Sequence, residues 1–238
     1  MLHLLAFCKP NANAFYTICY LGTYGFNLTF HSSRITSMDK RKLGPTAVTM
    51  SRKISIVIIT RNEEANITDC LNSVAWGNEI IVMDSGSSDH TISLAKRHTS
   101  KVYSQDFIDF STQKNSALDK ATGDWILILD ADERVPEKLA SEIQSIADSG
   151  SMDFVYTIRR KTFFWGKLMR YGGAQHDAPI RLFPKGRAYY TQPVHETIVT
   201  DLPIRQLQCA MLHYSTRDLQ HYKQKLAQYI PLEIKLLQ

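Results

Sequence analysis

The sequence predicts an α/β protein with a mostly parallel, doubly wound sheet and a mixed, partly antiparallel C-terminal extension. Two observations lead to this fold class. Between residues 53 and 130, strand-like and helix-like runs alternate, which is typical of parallel strands joined by crossover helices. In the C-terminal part, short β-rich runs are broken by Gly and Pro without helices between them, which favours antiparallel pairing.

The folded domain is expected to open near residue 50. Residues 1–49 show no sustained period of 2 or 3.6, whereas "MSRKISIVIIT" reads as the start of a first strand. We therefore predict that residues 1–49 form a poorly ordered N-terminal extension. Residues 50–238 form the domain, with a first half at 50–135 and a second at 136–238.

The first half is predicted to contain four strands and three helices. The run "ISIVIIT" is β-branched throughout, as in a strand buried on both faces. The following helix carries its apolar residues at helical spacing, namely Ile67, Cys70, Leu71 and Val74. The remaining elements are the strand "EIIVMD", a helix in "SSDHTISLAKRH", the strand "KVYS", a helix in "STQKNSALDKA" and the strand "WILILD".

The second half is predicted to contain short strands and one terminal helix. The strands are "DFVYTIRR", "PIRLFP", "RAYYT" and "ETIVTDLPI". The helix is expected to end at Pro231, because proline lacks the amide hydrogen that a helix interior needs. One helix face carries Leu219, Tyr222, Leu226 and Tyr229. This face is expected to pack on the core, and the alternative is an anionic membrane surface.

Polar residues follow three of the predicted parallel strands. They occur in "TRNE" from Thr60, "DSG" from Asp84 and "DAD" from Asp130. Ligands of doubly wound sheets bind at the carboxyl ends of the strands. The sequence therefore predicts a ligand site at this edge.

The acid cluster of "GDWILILDADERVP" predicts a cation at the same edge. Asp130 and Asp132 are two residues apart, so in an extended chain their side chains point the same way. Carboxylate oxygens with open coordination positions suit Mg²⁺ or Mn²⁺. The alternative is a solvated turn whose acids cap the next helix, and Glu133 is assigned that capping role.

The ordered set of motifs resembles a known family. "ISIVIITRNEEANITDCLNSV", "EIIVMDSGSSDHT", "QKNSAL", "GDWILILDADE", "RLFP" and "PVHE" look like the inverting family 2 glycosyltransferases of the GT-A fold. The likeness covers residues 53–229 and is greatest to small bacterial enzymes that resemble lipopolysaccharide core β-glucosyltransferases. It implies that 50–135 binds a nucleotide sugar and 136–238 an acceptor.

The resemblance implies a set of donor-binding residues. Thr60, Asn62 and Glu63 would line the base and ribose pocket, and Asp84 would accept a hydrogen bond from uracil. The alternative for Asp84 is a turn residue that bonds its own loop. The remaining donor contacts implied by the resemblance are Lys114, Asn115 and Asp130, of which Lys114 could instead be solvated.

The resemblance also implies the metal ligands and the base. Asp132, assisted by Asp130, would hold Mg²⁺ or Mn²⁺, and His213 would be a further ligand unless it is a core residue. The commonest family pattern has a Glu-Asp pair as the base, which is absent here after Glu133.

The two candidate bases are therefore Glu196, in "PVHE", and Asp177, in "GGAQHDAP". We favour Glu196. Its alternative function is an ion pair with an arginine such as Arg181.

The function implied is metal-dependent transfer of a sugar, glucose by resemblance, from a UDP-sugar to a saccharide acceptor of the lipopolysaccharide core. A lipid-linked acceptor would bring the protein to the inner face of the inner membrane. The four cysteines lie far apart without a C-x-x-C pair, which indicates a reducing, cytoplasmic setting. No run approaches the roughly 18 apolar residues of a membrane-spanning helix.

Three other classes of function are less consistent with the sequence. Residues 1–49 contain five basic residues and one acid, so they carry +4 of the net +5, and the domain lacks the basic footprint of a nucleic-acid-binding protein. A metal-dependent nucleotidyltransferase would have a glycine-rich loop where this chain has "TRNEEAN". A non-catalytic, receiver-like nucleotide-binding domain would lack the long aromatic second half with "FFWGKLMRYGG".

Overall fold

A computed structural model describes residues 52–173, 176–193 and 196–236. Its first part contains the elements β1 (Ile54–Thr60), α1 (Ile67–Ser73), β2 (Glu79–Asp84), α2 (Thr91–Ala95), β3 (Val102–Ser104), α3 (Phe110–Asp119) and β4 (Trp125–Asp130). Its second part contains β5 (Glu133–Arg134), α4 (Glu137–Asp148), β6 (Val155–Phe164), β7 (Lys167–Leu168), β8 (Ile180–Pro184), β9 (Ala188–Thr191), β10 (Thr197–Thr200), β11 (Ile204–Thr216) and α5 (Leu219–Leu236).

The first part is a parallel sheet in the order β3-β2-β1-β4. β1 is buried at all seven positions, and β4 is buried at five of six. Strands with apolar side chains on both faces need helices or other strands to cover both of them. Two hydrophobic clusters do so, one including α1 and α4 and the other including α3. The predicted alternation of strands and helices is confirmed.

The second part extends the sheet beside β4. β8 is antiparallel to both β4 and β6, β11 runs parallel to β6, and β5 is antiparallel to β11. β9 and β10 form a separate two-stranded sheet. The predicted fold class, an α/β protein with a mixed extension, is confirmed. The sequence did not predict β11, because it is irregular, with shifts in register near Gln206 and Tyr214.

The terminal helix differs from the prediction in two ways. α5 continues past Pro231 to Leu236, although a proline inside a helix removes one amide hydrogen bond and crowds the preceding turn. The face that was expected to pack on the core is also exposed at Leu219, Tyr222 and Leu226. Tyr229 lies outside the described side chains.

None of the helices in the described ranges is long and apolar enough to cross a membrane. The predicted extension, residues 1–49, lies outside the described residues. Its separation from the domain stays a prediction.

Candidate functional site

Three strand ends meet at one edge of the sheet, as the sequence predicts. Thr60 at the end of β1 pairs in register with Asp84 at the end of β2. Ile59 of β1 pairs with Asp130 at the end of β4. The loops that follow these strands therefore lie side by side.

Asn62 joins the loops after β1 and β2. The Asn62 side-chain oxygen accepts a hydrogen bond from the Ser88 backbone amide at 2.8 Å, and the Asn62 backbone amide donates to the Ser87 hydroxyl at 2.8 Å. Its φ of 53° lies in the left-handed region, which Asn tolerates better than most residues. Asn62 thus fixes the shape of this edge.

Asp84 binds its own loop. It is fully buried, and its carboxylate accepts hydrogen bonds from the Gly86 amide at 2.9 Å, the Ser87 amide at 2.9 Å and the Ser87 hydroxyl at 2.5 Å. These are the bonds of a turn-forming aspartate. The arrangement favours the turn alternative over a direct contact with a base.

Two cavities lie at the strand ends. The outer cavity, of about 680 Å³, is lined by residues that include Arg61, Asn62, Glu63, Phe107 and Lys225. The central cavity, of about 380 Å³, is lined by residues that include Thr60, Glu63, Asp130, Asp132, His213 and Lys225. Both volumes are within the range of small-molecule sites.

Two of the predicted donor-binding residues, Thr60 and Glu63, line the central cavity. The Thr60 hydroxyl is buried and has no hydrogen-bond partner among the described residues. Burial, and next the charge of Asp132, raise the pKa of Glu63. A buried hydroxyl without a partner is a favourable place for a ligand to bond.

Asp130 and Glu133 belong to a buried ion-pair cluster. The Arg181 guanidinium donates to the Asp130 carboxylate at 2.5 Å and to Glu133 at 2.6 Å, and Arg160 donates to Glu133 at 3.3 Å. Glu133 is completely buried. Its predicted capping role is wrong, because the Glu133 side chain points to these arginines and its other oxygen accepts from the Asp130 amide at 2.9 Å.

The charges of this cluster set the ionisation of Asp130. Burial alone would raise the pKa of the Asp130 carboxyl, but the Arg181 and Lys114 charges hold that pKa far below its usual range. Arg181 itself is 3% exposed. The Asp130 carboxylate therefore stays charged at this buried strand end because nearby buried cations compensate it.

Asp132 has different partners from Asp130. β4 ends at Asp130, so the chain turns before Asp132 and the extended geometry assumed for the pair is wrong. The Lys225 ammonium donates to the Asp132 carboxylate at 2.9 Å, and the His213 ring nitrogen Nε2 lies 3.6 Å from the same oxygen. Burial opposes ionisation of Asp132, but His213 and Lys225 lower its pKa to about 2.

The donor set at Asp132 fits a divalent cation in part. Two ligands of one ion, each about 2.1 Å from it, lie about 3 to 4 Å apart, and the Asp132 oxygen and the His213 nitrogen satisfy this spacing. Lys225 already supplies a positive charge at this point. Among the described residues, no group of three or more His, Cys, Asp or Glu side chains is arranged to hold a metal ion. Further ligands would have to come from water or from substrate.

A third cavity, the lateral cavity, contains the favoured base. It measures about 460 Å³ and is lined by residues that include Lys114, Asp130, Arg160, Tyr190 and Glu196. The Lys114 ammonium binds the Glu196 carboxylate and lies 3.8 Å from Asp130. Glu196 thus forms an ion pair with a lysine and not with Arg181, which was the alternative partner.

Lys114 is buried, not solvated. Burial alone would favour the neutral amine, but Asp130 and other nearby groups raise the pKa of Lys114. Its ammonium also lies 5.0 Å from the centre of the Tyr190 ring. The Tyr190 hydroxyl is buried without a partner among the described residues.

The two remaining predicted residues have structural contacts. The Asp177 carboxylate accepts from Arg160 Nε at 2.7 Å and from a second guanidinium nitrogen. Asn115 exchanges two 2.8 Å hydrogen bonds with the Tyr190 backbone and so holds β9 against α3. Neither residue lines the outer, central or lateral cavity.

Three cationic residues of the site were not predicted from the sequence. Arg181 was considered only as an alternative partner of Glu196, although its position inside the apolar run "PIRLFP" is a signal for a buried charge with a partner. Arg160 lies between Glu133 and Asp177. Lys225 occurs on a helix whose described side chains are mostly exposed, and nothing in the sequence distinguishes it from its neighbours.

Comparisons with known proteins agree with this architecture. The profile of the family described as "Glycosyl transferase family 2" matches residues 55–206. An uncharacterized glycosyltransferase of Rickettsia typhi is 34% identical over 61% of this chain and 51% of its own length. The lipopolysaccharide core biosynthesis glycosyltransferase LpsC of Rhizobium meliloti is 27% identical over 62% of this chain and 57% of its own length.

A solved structure shares the fold. The structure of S. aureus TarS 1-349 in complex with UDP-GlcNAc has a TM-score of 0.51 and 17% sequence identity, over 72% of this chain and 60% of TarS 1-349. The chain spans about half the length of the Rickettsia typhi relative.

Proposed function

Because the chain belongs to glycosyl transferase family 2, we propose that it transfers a sugar from a UDP-sugar to a saccharide acceptor, with inversion at the anomeric carbon. One observation carries this proposal. The outer and central cavities share Arg61, Glu63 and Lys225, and the central and lateral cavities share Asp130 and Arg160. The three cavities therefore adjoin one another in the order outer, central and lateral. Together they offer room for a nucleoside, its diphosphate and an acceptor.

The nucleotide would bind in the outer cavity. Asn62 and Glu63 line it, Glu63 also lines the central cavity, and the Arg61 guanidinium lies 6.0 Å from the centre of the Phe107 ring. An aromatic ring and a planar cation suit stacking against a base. UDP is suggested by the UDP-GlcNAc in the TarS complex, which has the same fold.

The diphosphate would bind in the central cavity. Asp132 and His213 would hold a Mg²⁺ or Mn²⁺ ion, which would neutralise the charge that grows on the departing diphosphate. Lys225 lies 2.9 Å from Asp132 and would have to leave this carboxylate when the ion binds. Asp130 lines this cavity and would assist Asp132 at the metal ion, with its carboxylate held in place by Arg181.

The acceptor would bind in the lateral cavity, with Glu196 as the general base. Glu196 would accept the proton of the acceptor hydroxyl as that oxygen attacks the anomeric carbon from the face opposite the diphosphate. Lys114 contacts both Glu196 and Asp130, so it would hold both carboxylates in place. Pro179, Ile180 and Ile198 form an apolar wall of this cavity.

The identity of the sugar and acceptor is a finer proposal. Glucose as the sugar and the lipopolysaccharide core as the acceptor follow from the motif resemblance, and the similarity to LpsC, a lipopolysaccharide core biosynthesis glycosyltransferase, supports the acceptor. A lipid-linked core acceptor would place the reaction at the inner face of the inner membrane.

A matched pair of variants tests the assignment of the base. With a panel of UDP-sugars, Mn²⁺ and core oligosaccharide acceptors, Glu196→Gln should lower kcat by at least about a hundredfold and leave UDP affinity unchanged. Asp177→Asn removes a carboxylate that lines none of the three cavities, and it should keep most of the activity. Loss of transfer in Asp177→Asn but not in Glu196→Gln would contradict the assignment.

A further inference from the structure

The β6–β7 hairpin holds a large aromatic side chain in solvent. Its two turn residues, Trp165 and Gly166, have φ values of 51° and 72°, as in the type I′ turn of tight hairpins. Gly fits this conformation, whereas a bulky residue such as Trp is strained in it. Trp165 is nevertheless 51% exposed, so burial does not compensate for the strain.

α5 presents a continuous apolar stripe beside this hairpin. Its members recur every three or four residues, so they share one helix face, and each is between 39% and 53% exposed. They are Leu219, Tyr222, Leu226, Ile230 and Ile234. The stripe is about 22 Å long at 1.5 Å per residue.

Aromatic contacts join the hairpin to the stripe. The Phe164 ring stacks on Trp165 with ring centres 5.2 Å apart, and its edge meets Tyr222 at 6.1 Å. Leu168 and Met169, after the turn, are also exposed. We call Trp165, Leu168, Met169 and the five stripe residues the tip–helix surface. It contributes no residue to the lining of the outer, central or lateral cavity.

The charge around the tip–helix surface is positive on balance, because residues 217–236 contain four basic residues against Asp218 and Glu233. Lys161, Lys167 and Arg170 are exposed on the hairpin segment, and Lys223 is exposed on α5. No Asp or Glu occurs between residues 154 and 176. An apolar surface with a basic border suits a layer of lipid acyl chains beneath anionic headgroups.

We propose that the tip–helix surface binds an anionic lipid bilayer, with Trp165 and the α5 stripe inserted at the headgroup boundary. A second copy of the chain fits less well, because a symmetric dimer would bring two basic borders together. A saccharide would gain little binding affinity here, because the side chains of Leu226, Ile230 and Ile234 are aliphatic and offer it no hydrogen bonds.

Vesicle co-sedimentation of the full chain tests this binding. The protein should sediment with vesicles of phosphatidylglycerol and phosphatidylcholine and stay in solution with phosphatidylcholine alone. Trp165→Asn should weaken binding by about tenfold or more, and it should keep the hairpin, because Asn-Gly is the preferred type I′ sequence. The double reversal Lys161→Glu and Lys167→Glu should also weaken it by at least about tenfold, since each charge contributes about fivefold.

The control reverses two exposed charges elsewhere, Lys96→Glu with Arg97→Glu, and should bind like the wild type. Equal binding to both vesicle types, no binding by the wild type, or wild-type binding by the tip variants would overturn the proposal. A wild-type dimer in sedimentation velocity that is absent in Trp165→Asn would also overturn the proposal. Hydrolysis of UDP-sugars by Trp165→Asn should match the wild type, so a failure here is distinguishable from a failure of the proposed function.

Discussion

Lys225→Met should tighten the binding of Mn²⁺ in the absence of a donor. The Lys225 ammonium lies 2.9 Å from the Asp132 oxygen, and a divalent ion on this carboxylate would lie about 4 Å from the ammonium. At an effective dielectric constant of about 20, the repulsion would be about 8 kcal/mol. This exceeds what the contacts of one lysine can offset, so Lys225 must move away when the ion binds.

Lys225→Met should make Mn²⁺ binding more favourable by the free energy of the Lys225 contacts, because these contacts no longer have to be broken when the ion binds. Lys225 donates to Asp132 and, at 2.7 Å, to the Ser215 carbonyl, and its side chain is 28% exposed. Charge-assisted contacts of this kind contribute about 1 to 2 kcal/mol. The Mn²⁺ affinity should therefore rise by roughly 5- to 30-fold.

Electron paramagnetic resonance of free Mn²⁺ measures this affinity without any reaction. Lys223→Met is the matched control, because Lys223 is exposed on the same helix, and it should bind Mn²⁺ like the wild type. Unchanged or weaker Mn²⁺ binding by Lys225→Met would refute the competition between the ammonium and the ion.

Two further predictions concern the buried carboxylates. Arg181→Met should lower the free energy of unfolding at pH 7 by about 3 to 5 kcal/mol, because it leaves Asp130 and Glu133 without their shared buried cation. In the wild type, the lowered pKa of Asp130 contributes stability. This contribution is fully present above the pKa that Asp130 has in the unfolded state, and it is lost as the pH falls below that value. The variant's deficit should therefore persist from pH 7 down to about pH 4 and shrink below about pH 4, where the unfolded-state carboxyl binds a proton. A deficit in urea unfolding that is as large near pH 2 as at pH 7 would contradict the ion-pair explanation. Asp84→Asn should cost about 1 to 2 kcal/mol of stability, because an amide cannot accept all three hydrogen bonds of this turn. Loss of UDP affinity without loss of stability would instead show that Asp84 contacts the base.

The parallel half of the fold was predictable because its signals are local. β1 and β4 are continuous apolar runs buried in the sheet, and the helices between them have apolar residues at helical spacing. The doubly wound topology then assigns the ends of β1, β2 and β4 to one edge. This reasoning identified Thr60, Asp84 and Asp130 as neighbours without any measured distance.

The partners of the acid cluster were not predictable in the same way. Arg181 is 51 residues from Asp130 in sequence, and Lys225 is 93 residues from Asp132. Periodicity within one sequence describes the face of an element but not which distant side chain meets it. The turn after β4 also separated Asp130 from Asp132, which spacing alone had put on the same side.

The exposed stripe of α5 illustrates a second limit. An apolar helix face predicts that something covers it, but the pattern does not identify the cover. The structure leaves Leu219, Tyr222 and Leu226 exposed, where packing on the core was expected.

Calorimetric titration of UDP into the wild type and Asp132→Asn, with and without Mn²⁺, tests the central claim most directly. If Asp132 and a divalent ion together hold the diphosphate, UDP should bind the wild type tightly only with Mn²⁺. Asp132→Asn should then lose at least about tenfold in affinity. Equal UDP affinity in all four titrations would contradict the proposed donor site.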